Sequence, residues 1–249
     1  MKYTKLDEYE TVYLAERGEF FMEKILTDIR RQELLSFIKR HAFSSFLEIG
    51  CGPDPIVSYL DSYSLFVAVE PSLVFLKRAK ENSMNKDVIF YNEYVENVIP
   101  LIKGHVFDLI ILNSVLHELE DPMAVLKQLL NVCSPSTVVY INVPNAHSMH
   151  RILGTGLGII KSPSDKSDSD VKYRHSVVFT MDMLKEVVDS CGYFCEDYGT
   201  FFIKPFSNSQ IEEMLKACII NMSTLTGLHG LSSLFPDNGA EMFVSLRKK

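Results

Sequence analysis

A chain of 249 residues, 47% of them hydrophobic, is long enough to bury one sizeable core, and its composition excludes a disordered or fibrous protein. The net charge is −7, and basic residues form no stripe before the 247–249 tail, so we expect no nucleic-acid partner. No apolar run predicts a signal peptide or membrane span. The five cysteines have no paired zinc-ligand spacing, which favours a cytoplasmic protein with reduced thiols.

The first predicted element is helical and covers about residues 7–42. Apolar residues such as Phe21, Ile25 and Ile29 recur there at helical spacing. Tyr3, Tyr9 and Tyr13 lie at or before its start, and core packing is their expected role. We therefore predict a helical cover over residues 1–43.

A short apolar strand at 45–49 follows, and it runs into the sequence Glu48-Ile49-Gly50-Cys51-Gly52. Glycines at this point allow a sharp turn and a close approach of backbone to a ligand. A helix predicted over about 53–62 would offer its N-terminal N–H groups to a negative charge. Eighteen residues after Gly52, a second apolar strand ends in Glu70, whose carboxylate can accept hydrogen bonds from a ribose diol. These features predict a nucleoside-binding βαβ unit.

Strands and helices then alternate regularly. The predicted strands are continuous apolar runs, as expected when helices cover both faces of a parallel sheet. This pattern predicts an α/β fold with a doubly wound sheet. The predicted strands are 65–69, 88–91, 107–113 and 137–143, and the predicted helices are 72–83 and 122–133.

Two segments interrupt the alternation. Residues 144–179 form a long connection with a polar run, and we expect a lid whose residues 162–172 are mobile without ligands. Residues 206–238 contain at least one predicted helix, and they lie between a strand from 193 to about 205 and a final strand at 241–246.

The Glu-x-Gly-x-Gly sequence together with Glu70 resembles motifs I and II of the class I S-adenosylmethionine-dependent methyltransferases, and the resemblance covers most of residues 44–200. It implies a seven-stranded Rossmann-like sheet over 44–249, with lid insertions at 144–179 and 206–238 and with S-adenosyl-L-methionine as cofactor. Backbone at 48–52 would hold the methionine part, Glu70 the ribose, and the segment after strand three the adenine. The cofactor-binding residues predicted in this way are Glu48, Gly50, Cys51, Gly52, Glu70, Pro71, Asn92, Glu93, Tyr94 and Asn113.

Three histidines are candidate bases. His117 follows strand four in a Leu-His-Glu sequence that resembles the segment supplying the catalytic base in plant-type O-methyltransferases, although it could simply cap the following loop. His147 follows strand five in a Val-Pro-Asn segment similar to that of ubiquinone- and glycan-modifying methyltransferases. His175 is the third, and it could instead anchor the returning loop. His147 and His150 are three residues apart, but no carboxylate or cysteine completes a metal set nearby, so we predict no metal.

The resulting hypothesis is methyl transfer to an oxygen or nitrogen of a small molecule or glycan precursor, with His117 and His147 as the catalytic candidates. A non-catalytic binding protein with this fold is one alternative. A nicotinamide-dependent oxidoreductase is another, but Pro55 stands where the dinucleotide fingerprint needs its third glycine. The oligomeric state is left open between monomer and homodimer.

Overall fold

A computed structural model of the chain describes residues 10, 21–167, 170–171 and 175–249. Its centre is a seven-stranded sheet of order β3-β2-β1-β4-β5-β7-β6. The first five strands are parallel to one another, and β7 runs antiparallel to both β5 and β6. The strands are β1 Ser45–Ile49, β2 Leu65–Val69, β3 Ile89–Tyr91, β4 Leu109–Asn113, β5 Val138–Pro144, β6 Tyr193–Ile203 and β7 Gly239–Lys248.

Helices cover both faces of this sheet. One face packs against α1 and α2, and the other against α3, α4 and α6. Among the described residues, no helix is long and apolar enough to cross a membrane. The α-helices are α1 Met22–Arg40, α2 Leu73–Asn82, α3 Val95–Val98, α4 Pro122–Leu129, α5 Met149–Gly156, α6 Met181–Ser190, α7 Asn208–Lys216 and α8 Met222–Gly230.

The long helix α1 shares its core with the sheet. Its second half packs through Leu34 and Phe37 against the ring of Tyr140 on β5. Its first half, including Met22, packs against the end of β6 and the helices between β6 and β7. Both ends of α1 are therefore fixed by buried apolar contacts, which contribute most of the stability of an amphipathic helix.

The strand directions place the ends of several strands at one edge of the sheet, where a site can form. The carboxyl ends of β1 to β5 meet there, and the pairing of β6 with the antiparallel β7 brings Ile203 and Gly239 to the same edge. In open α/β sheets, ligands bind in the crevice outside the carboxyl ends of the strands. The polar residues that follow these strands are therefore the candidate site.

The predicted α/β fold class and the order of the strands are confirmed. The helices α7 and α8 lie between β6 and β7. The helix predicted over 53–62 is wrong: only a short 3₁₀ turn, Ile56–Tyr59, follows β1. Pro53 and Pro55 explain the difference, because proline lacks an N–H and restricts the residue before it. The long connection 144–179 is also less irregular than predicted, since it begins with α5. Tyr3, Tyr9 and Tyr13 lie outside the described residues.

Candidate active site

The loop after β1 is shaped by two glycines with positive φ. Gly50 has φ +67°, and a Cβ placed on it would come within 2.5 Å of the Val115 side chain, which follows β4. Gly52 has φ +59°, and apart from Gly52 and its two chain neighbours no atom of the described residues lies within 4 Å of its ideal Cβ position. Glycine is the residue that adopts this conformation without strain. The first glycine therefore allows two loops to touch, and the second leaves open space beside the backbone.

Glu48 holds this loop from beneath. Its buried carboxylate accepts the Ile56 N–H through both oxygens, at 3.2 and 3.1 Å. Burial raises the pKa of Glu48 to about 8, and the nearby carboxylates of Asp54 and Glu70 add to the shift. Cys51 is also buried, and burial raises the pKa of its thiol well above the usual value. Glu48 thus positions the loop, while Cys51 packs within it as a thiol.

Glu70, at the end of β2, is the second acid of the site and is only 5% exposed. Its carboxylate accepts the Gly52 N–H at 2.9 Å and the Ser72 N–H at 2.8 Å, one on each oxygen. Glu10, from the N-terminal segment, accepts a hydrogen bond from the Ser72 hydroxyl at 2.5 Å. Burial raises the pKa of Glu70 to about 7, with a further contribution from the charge of Glu10. Each Glu70 oxygen keeps a second acceptor position for a hydroxyl donor.

The segment after β3 continues the same edge. The Asn92 side-chain amide donates to the carbonyl oxygens of Glu70 and Pro71, both at 3.0 Å, so it ties the β3 loop to the end of β2. The exposed Glu93 accepts the Tyr94 N–H at 2.8 Å, and Tyr94 is half-buried. These contacts let Asn92 hold the β3 loop in place. Tyr94 then supplies the large aromatic ring of the segment.

The end of β4 combines strain with an unpaired polar atom. Asn113 Oδ1 is buried and has no hydrogen-bond partner among the described residues. Ser114 follows with φ +63°, a conformation that is strained for a residue with a side chain and that clusters at functional sites. Together, the open space at Gly52, the carboxylate of Glu70 and the unpaired Asn113 fit S-adenosylmethionine: loop backbone and Asn113 for the amino acid part, and Glu70 for the ribose.

His117 lies two residues beyond Val115 and is 2% exposed. Its Nδ1 is buried without a hydrogen-bond partner among the described residues. Burial lowers the pKa of His117 well below the usual value, and the neighbouring His175 and Arg30 lower it further. The imidazole is therefore neutral across the physiological range, and its low basicity limits it as a proton acceptor.

A second histidine from the lid packs directly on His117. The rings of His117 and His175 have centroids 4.4 Å apart and an interplanar angle of 84°. His175 Nδ1 lies 2.8 Å from Asp170 Oδ1, and the other Asp170 oxygen accepts from Arg151 Nη1 at 2.9 Å. Each of His117, Glu118 and His175 also has one atom that could bind a metal ion, and these three atoms lie within 4.8 Å of one another. These residues are the candidate metal ligands among the described residues.

Arg151, on α5, organises the polar part of the lid. Its guanidinium donates to the backbone carbonyls of Pro163, at 2.6 Å, and Asp165, in addition to the Asp170 carboxylate. Ser167 donates to the same carboxylate through its N–H and its hydroxyl. The expectation that residues 162–172 are mobile stays a prediction, and these contacts show what would have to break for the lid to open.

A buried polar cluster extends the site toward β6 and β7. Arg30 pairs with Glu23 at 2.8 Å and with Glu241 at 3.0 Å. Lys204, directly after β6, is 5% exposed and lies 2.5 Å from Asn208 Oδ1. Burial lowers the pKa of Lys204 to about 8, although Glu241 and Glu23 oppose the shift. Glu241 Oε2 remains without a partner among the described residues, so this cluster can accept further hydrogen bonds.

The histidines after β5 are placed differently from His117. His147 is exposed, and its contacts are through the backbone, with its N–H donating to Asn145 Oδ1 at 2.9 Å. His150 is half-buried, and burial with the charges of Lys204 and Arg151 lowers its pKa well below the usual value. The structure does not bring His147 into the group formed by His117 and its neighbours. The catalytic role of His147 stays a prediction.

Sequence reasoning missed several residues of this site. Arg151 follows strand five without a motif that gives it a role, Asp170 lies in a polar run that indicates only a flexible loop, and Lys204 lies near the end of a predicted strand. A basic residue directly after a strand was the available signal for Lys204. Arg30 lies on a helix far away in sequence, and its pairing with Glu241 could not be predicted without the fold.

Comparisons with known proteins bear on the domain and the fold. Residues 47–141 match a family described as "Methyltransferase domain". No curated protein sequence matches the chain. The plantazolicin methyltransferase BamL, solved with a triazolic desmethylPZN analogue and SAH, is a structural neighbour with 18% identity and a TM-score of 0.62, over 92% of this chain and 88% of that one.

Two further neighbours extend the comparison. A possible histamine N-methyltransferase from Thermotoga maritima has 15% identity and a TM-score of 0.56, over 98% of this chain and 95% of that one. The N-methyltransferase NodS from Bradyrhizobium japonicum WM9 has 12% identity and a TM-score of 0.55, over 89% and 96%. At these identities the neighbours show a shared fold. The comparisons therefore show a methyltransferase domain over residues 47–141 and, for the chain as a whole, the fold of solved S-adenosylmethionine-dependent methyltransferases.

Proposed function

We propose that this protein methylates an oxygen or nitrogen of a small polar molecule that binds between the carboxyl ends of β4 and β5, beneath the lid. The observation that carries the proposal is the buried polar cluster beside the cofactor residues. His117 Nδ1, His150 Nδ1 and Glu241 Oε2 are buried there without partners among the described residues. Leaving such atoms unpaired costs about 1–3 kcal/mol each, so a polar acceptor that pairs with them gains affinity.

The cofactor side of the crevice has a separate task. Bound S-adenosylmethionine supplies an electrophilic methyl group on a sulfonium. The chain contributes Glu70 for the ribose and the loop at Gly50 and Gly52 for close backbone contact. The contact between Gly50 and Val115 fixes the distance between the cofactor loop and the acceptor side, and holding reactants in line is the main source of rate in such a transfer.

The small-molecule class of the acceptor has independent support. The net charge of −7 disfavours nucleic acid. The structural neighbours include one solved with a triazolic desmethylPZN analogue and one described as a possible histamine N-methyltransferase, which supports an acceptor of this class. All five cysteines are free, which supports the cytoplasmic location predicted from the sequence.

The experiment is a binding and transfer assay on the full chain. Calorimetry with S-adenosylhomocysteine should give one site per chain, and NAD should give none. Transfer of a labelled methyl group should then be measured to catechol, as a hydroxyl probe, and histamine, as an amine probe. Absence of S-adenosylhomocysteine binding would overturn the proposal. Tight binding without transfer to a broad panel of hydroxyl and amine compounds would favour the non-catalytic binding protein instead.

A further inference from the structure

We propose that the methyl acceptor carries both an ammonium and a carboxylate group, as a free amino acid does, and that Glu241 binds the first group and Lys204 the second. This inference rests on the proposed function and names the class of small polar molecule that the protein methylates. Two observations carry it. Among the residues that the structure describes, one buried oxygen of Glu241 has no hydrogen-bond partner, and the buried ammonium of Lys204 has a single one.

Lys204 directly follows β6 and is only 5% exposed. Its ammonium has three N–H donors, and within the described part of the chain one of them is used, by the neutral Asn208 Oδ1 at 2.5 Å. Burial lowers the pKa of Lys204 to about 8, so the ammonium form predominates at pH 7. A carboxylate offers this buried cation both the opposite charge and the missing hydrogen-bond acceptors.

Glu241, on β7, is a buried group with an unused acceptor atom. Its Oε1 accepts a hydrogen bond from Arg30 Nη2 at 3.0 Å, whereas its Oε2 has no partner in the described ranges. The other terminal nitrogen of Arg30, Nη1, donates to Glu23 at 2.8 Å. A buried acceptor without a donor is costly, and an ammonium supplies both a donor and a positive charge.

The two side chains lie at the same end of the β6–β7 hairpin. Ile203, next to Lys204, pairs with Gly239, two residues before Glu241. Their charges interact, because Glu241 raises the pKa of Lys204 against the effect of burial. They nevertheless form no ion pair with each other, since the carboxylate of Glu241 pairs with Arg30 instead. One small molecule with two charged groups can therefore bind to both.

The balance of charges around Lys204 favours a zwitterion over an ion of one sign. Together with Lys204 there are three positive and three negative groups, because the Arg151 guanidinium is itself paired with the Asp170 carboxylate. A ligand of one sign would add an uncompensated charge to this buried cluster, whereas a zwitterion adds none. The charged groups that shift the pKa of Lys204 are Glu241, Glu23, Arg30 and Arg151.

This position belongs to the acceptor side of the crevice. The charge of Arg30 acts on His117, which follows β4, and the charge of Lys204 acts on His150, on helix α5 of the lid. Since Glu241 and Lys204 are both buried, a ligand reaches them when the lid moves aside. Return of the lid then excludes water from the two ion pairs, which strengthens them.

The first experiment is a binding screen of the standard amino acids on the full chain, by ligand-observed NMR, with and without S-adenosylhomocysteine. At least one amino acid should bind. Its decarboxylated and deaminated analogues each lack one charged group, so each should bind at least about tenfold more weakly. Binding of no amino acid, or equal binding of either analogue, would overturn the inference. Calorimetry with S-adenosylhomocysteine in the same samples tests the proposed function separately, because the screen does not depend on cofactor binding or transfer.

The second experiment assigns the two charged groups to their residues. Lys204→Met should weaken binding of the amino acid by about tenfold or more and change binding of its decarboxylated analogue less than twofold. Glu241→Gln should weaken binding of the amino acid to a similar extent and change binding of its deaminated analogue less than twofold. The matched controls Lys216→Met and Glu213→Gln, both exposed on α7, should behave as wild type.

A purely structural role of Lys204 and Glu241 would give a different pattern. Each variant would then weaken the amino acid and both analogues by the same factor, and that result would overturn the inference. If a variant does not fold, the comparison of the amino acid with its two analogues on the wild-type chain still decides whether both charged groups are recognised.

Discussion

Binding of S-adenosylhomocysteine should tighten with pH because of Glu70. Burial holds the pKa of this carboxyl at about 7 in the free protein, against an ordinary value of 4.5. Two ribose hydroxyls donating to the carboxylate favour its ionised form and would return the pKa toward that ordinary value. At pH 5.5 only about one molecule in thirty is then ready to bind, whereas at pH 8 nearly all are. The expected gain is about 30-fold in affinity, or about 2 kcal/mol.

Calorimetry at pH 5.5, 7 and 8 measures this gain directly, and proton uptake or release follows from buffers of different ionisation enthalpy. Glu70→Gln should bind more weakly at pH 8 and lose most of the pH dependence, while the exposed control Glu213→Gln should behave as wild type. Glu48 is the competing titrating group, with a pKa of about 8. If the affinity of Glu70→Gln for S-adenosylhomocysteine depended on pH as strongly as that of the wild type, Glu70 would not be the titrating group, and the pH dependence would be assigned to Glu48.

Three further predictions concern the scaffold. Gly50→Ala should cost about 1–3 kcal/mol in urea unfolding and weaken cofactor binding, since its Cβ would meet the side chain after β4, whereas Gly104→Ala, in open space, should be near neutral. Arg151→Ala should make 162–167 the first site of limited proteolysis, because the guanidinium binds two lid carbonyls and a buried carboxylate; equal protease resistance would contradict this. His117→Phe should gain stability relative to wild type as pH falls from 7 to 5.5, because the neutral, buried His117 ring of the wild type takes up a proton when the protein unfolds. A difference in urea unfolding free energy that stays constant with pH would argue against it.

The sequence predicted the sheet because its strands are long apolar runs separated by helical patterns. Both signals are local, so they survive without tertiary information. The prediction of a helix after β1 is wrong because it also rests on a local signal. A helix is predicted over about 53–62, but Pro53 and Pro55 limit the segment to a single 3₁₀ turn.

The residues of the site also differ in whether a local signal in the sequence predicts them. Glu70 and the glycine loop were predictable, because a cofactor that contacts backbone at the end of a strand leaves a short motif. The contact between His175 and Asp170 was not, because a polar run rich in serine and aspartate reads as solvated loop. Arg151 holds that run against the protein by donating hydrogen bonds to two of its backbone carbonyls and one of its carboxylates. A buried guanidinium with distant partners leaves no periodic signal in the sequence.

The two halves of the crevice respond to pH in opposite senses. Glu48 and Glu70 have raised pKa values, so the stability that they contribute at low pH is lost as pH rises from 4.5 through about 7 to 8. His117 and His150 have lowered pKa values, so their contribution is present above about 6.5 and is lost as pH falls below it. At pH 8 the free protein therefore carries an ionised, buried Glu70 at a cost, while Glu48 is ionised in about half of the molecules. Hydroxyl donors on a cofactor offset that cost at Glu70. Stabilisation by S-adenosylhomocysteine should for this reason be larger at pH 8 than at pH 6, at equal ligand concentration.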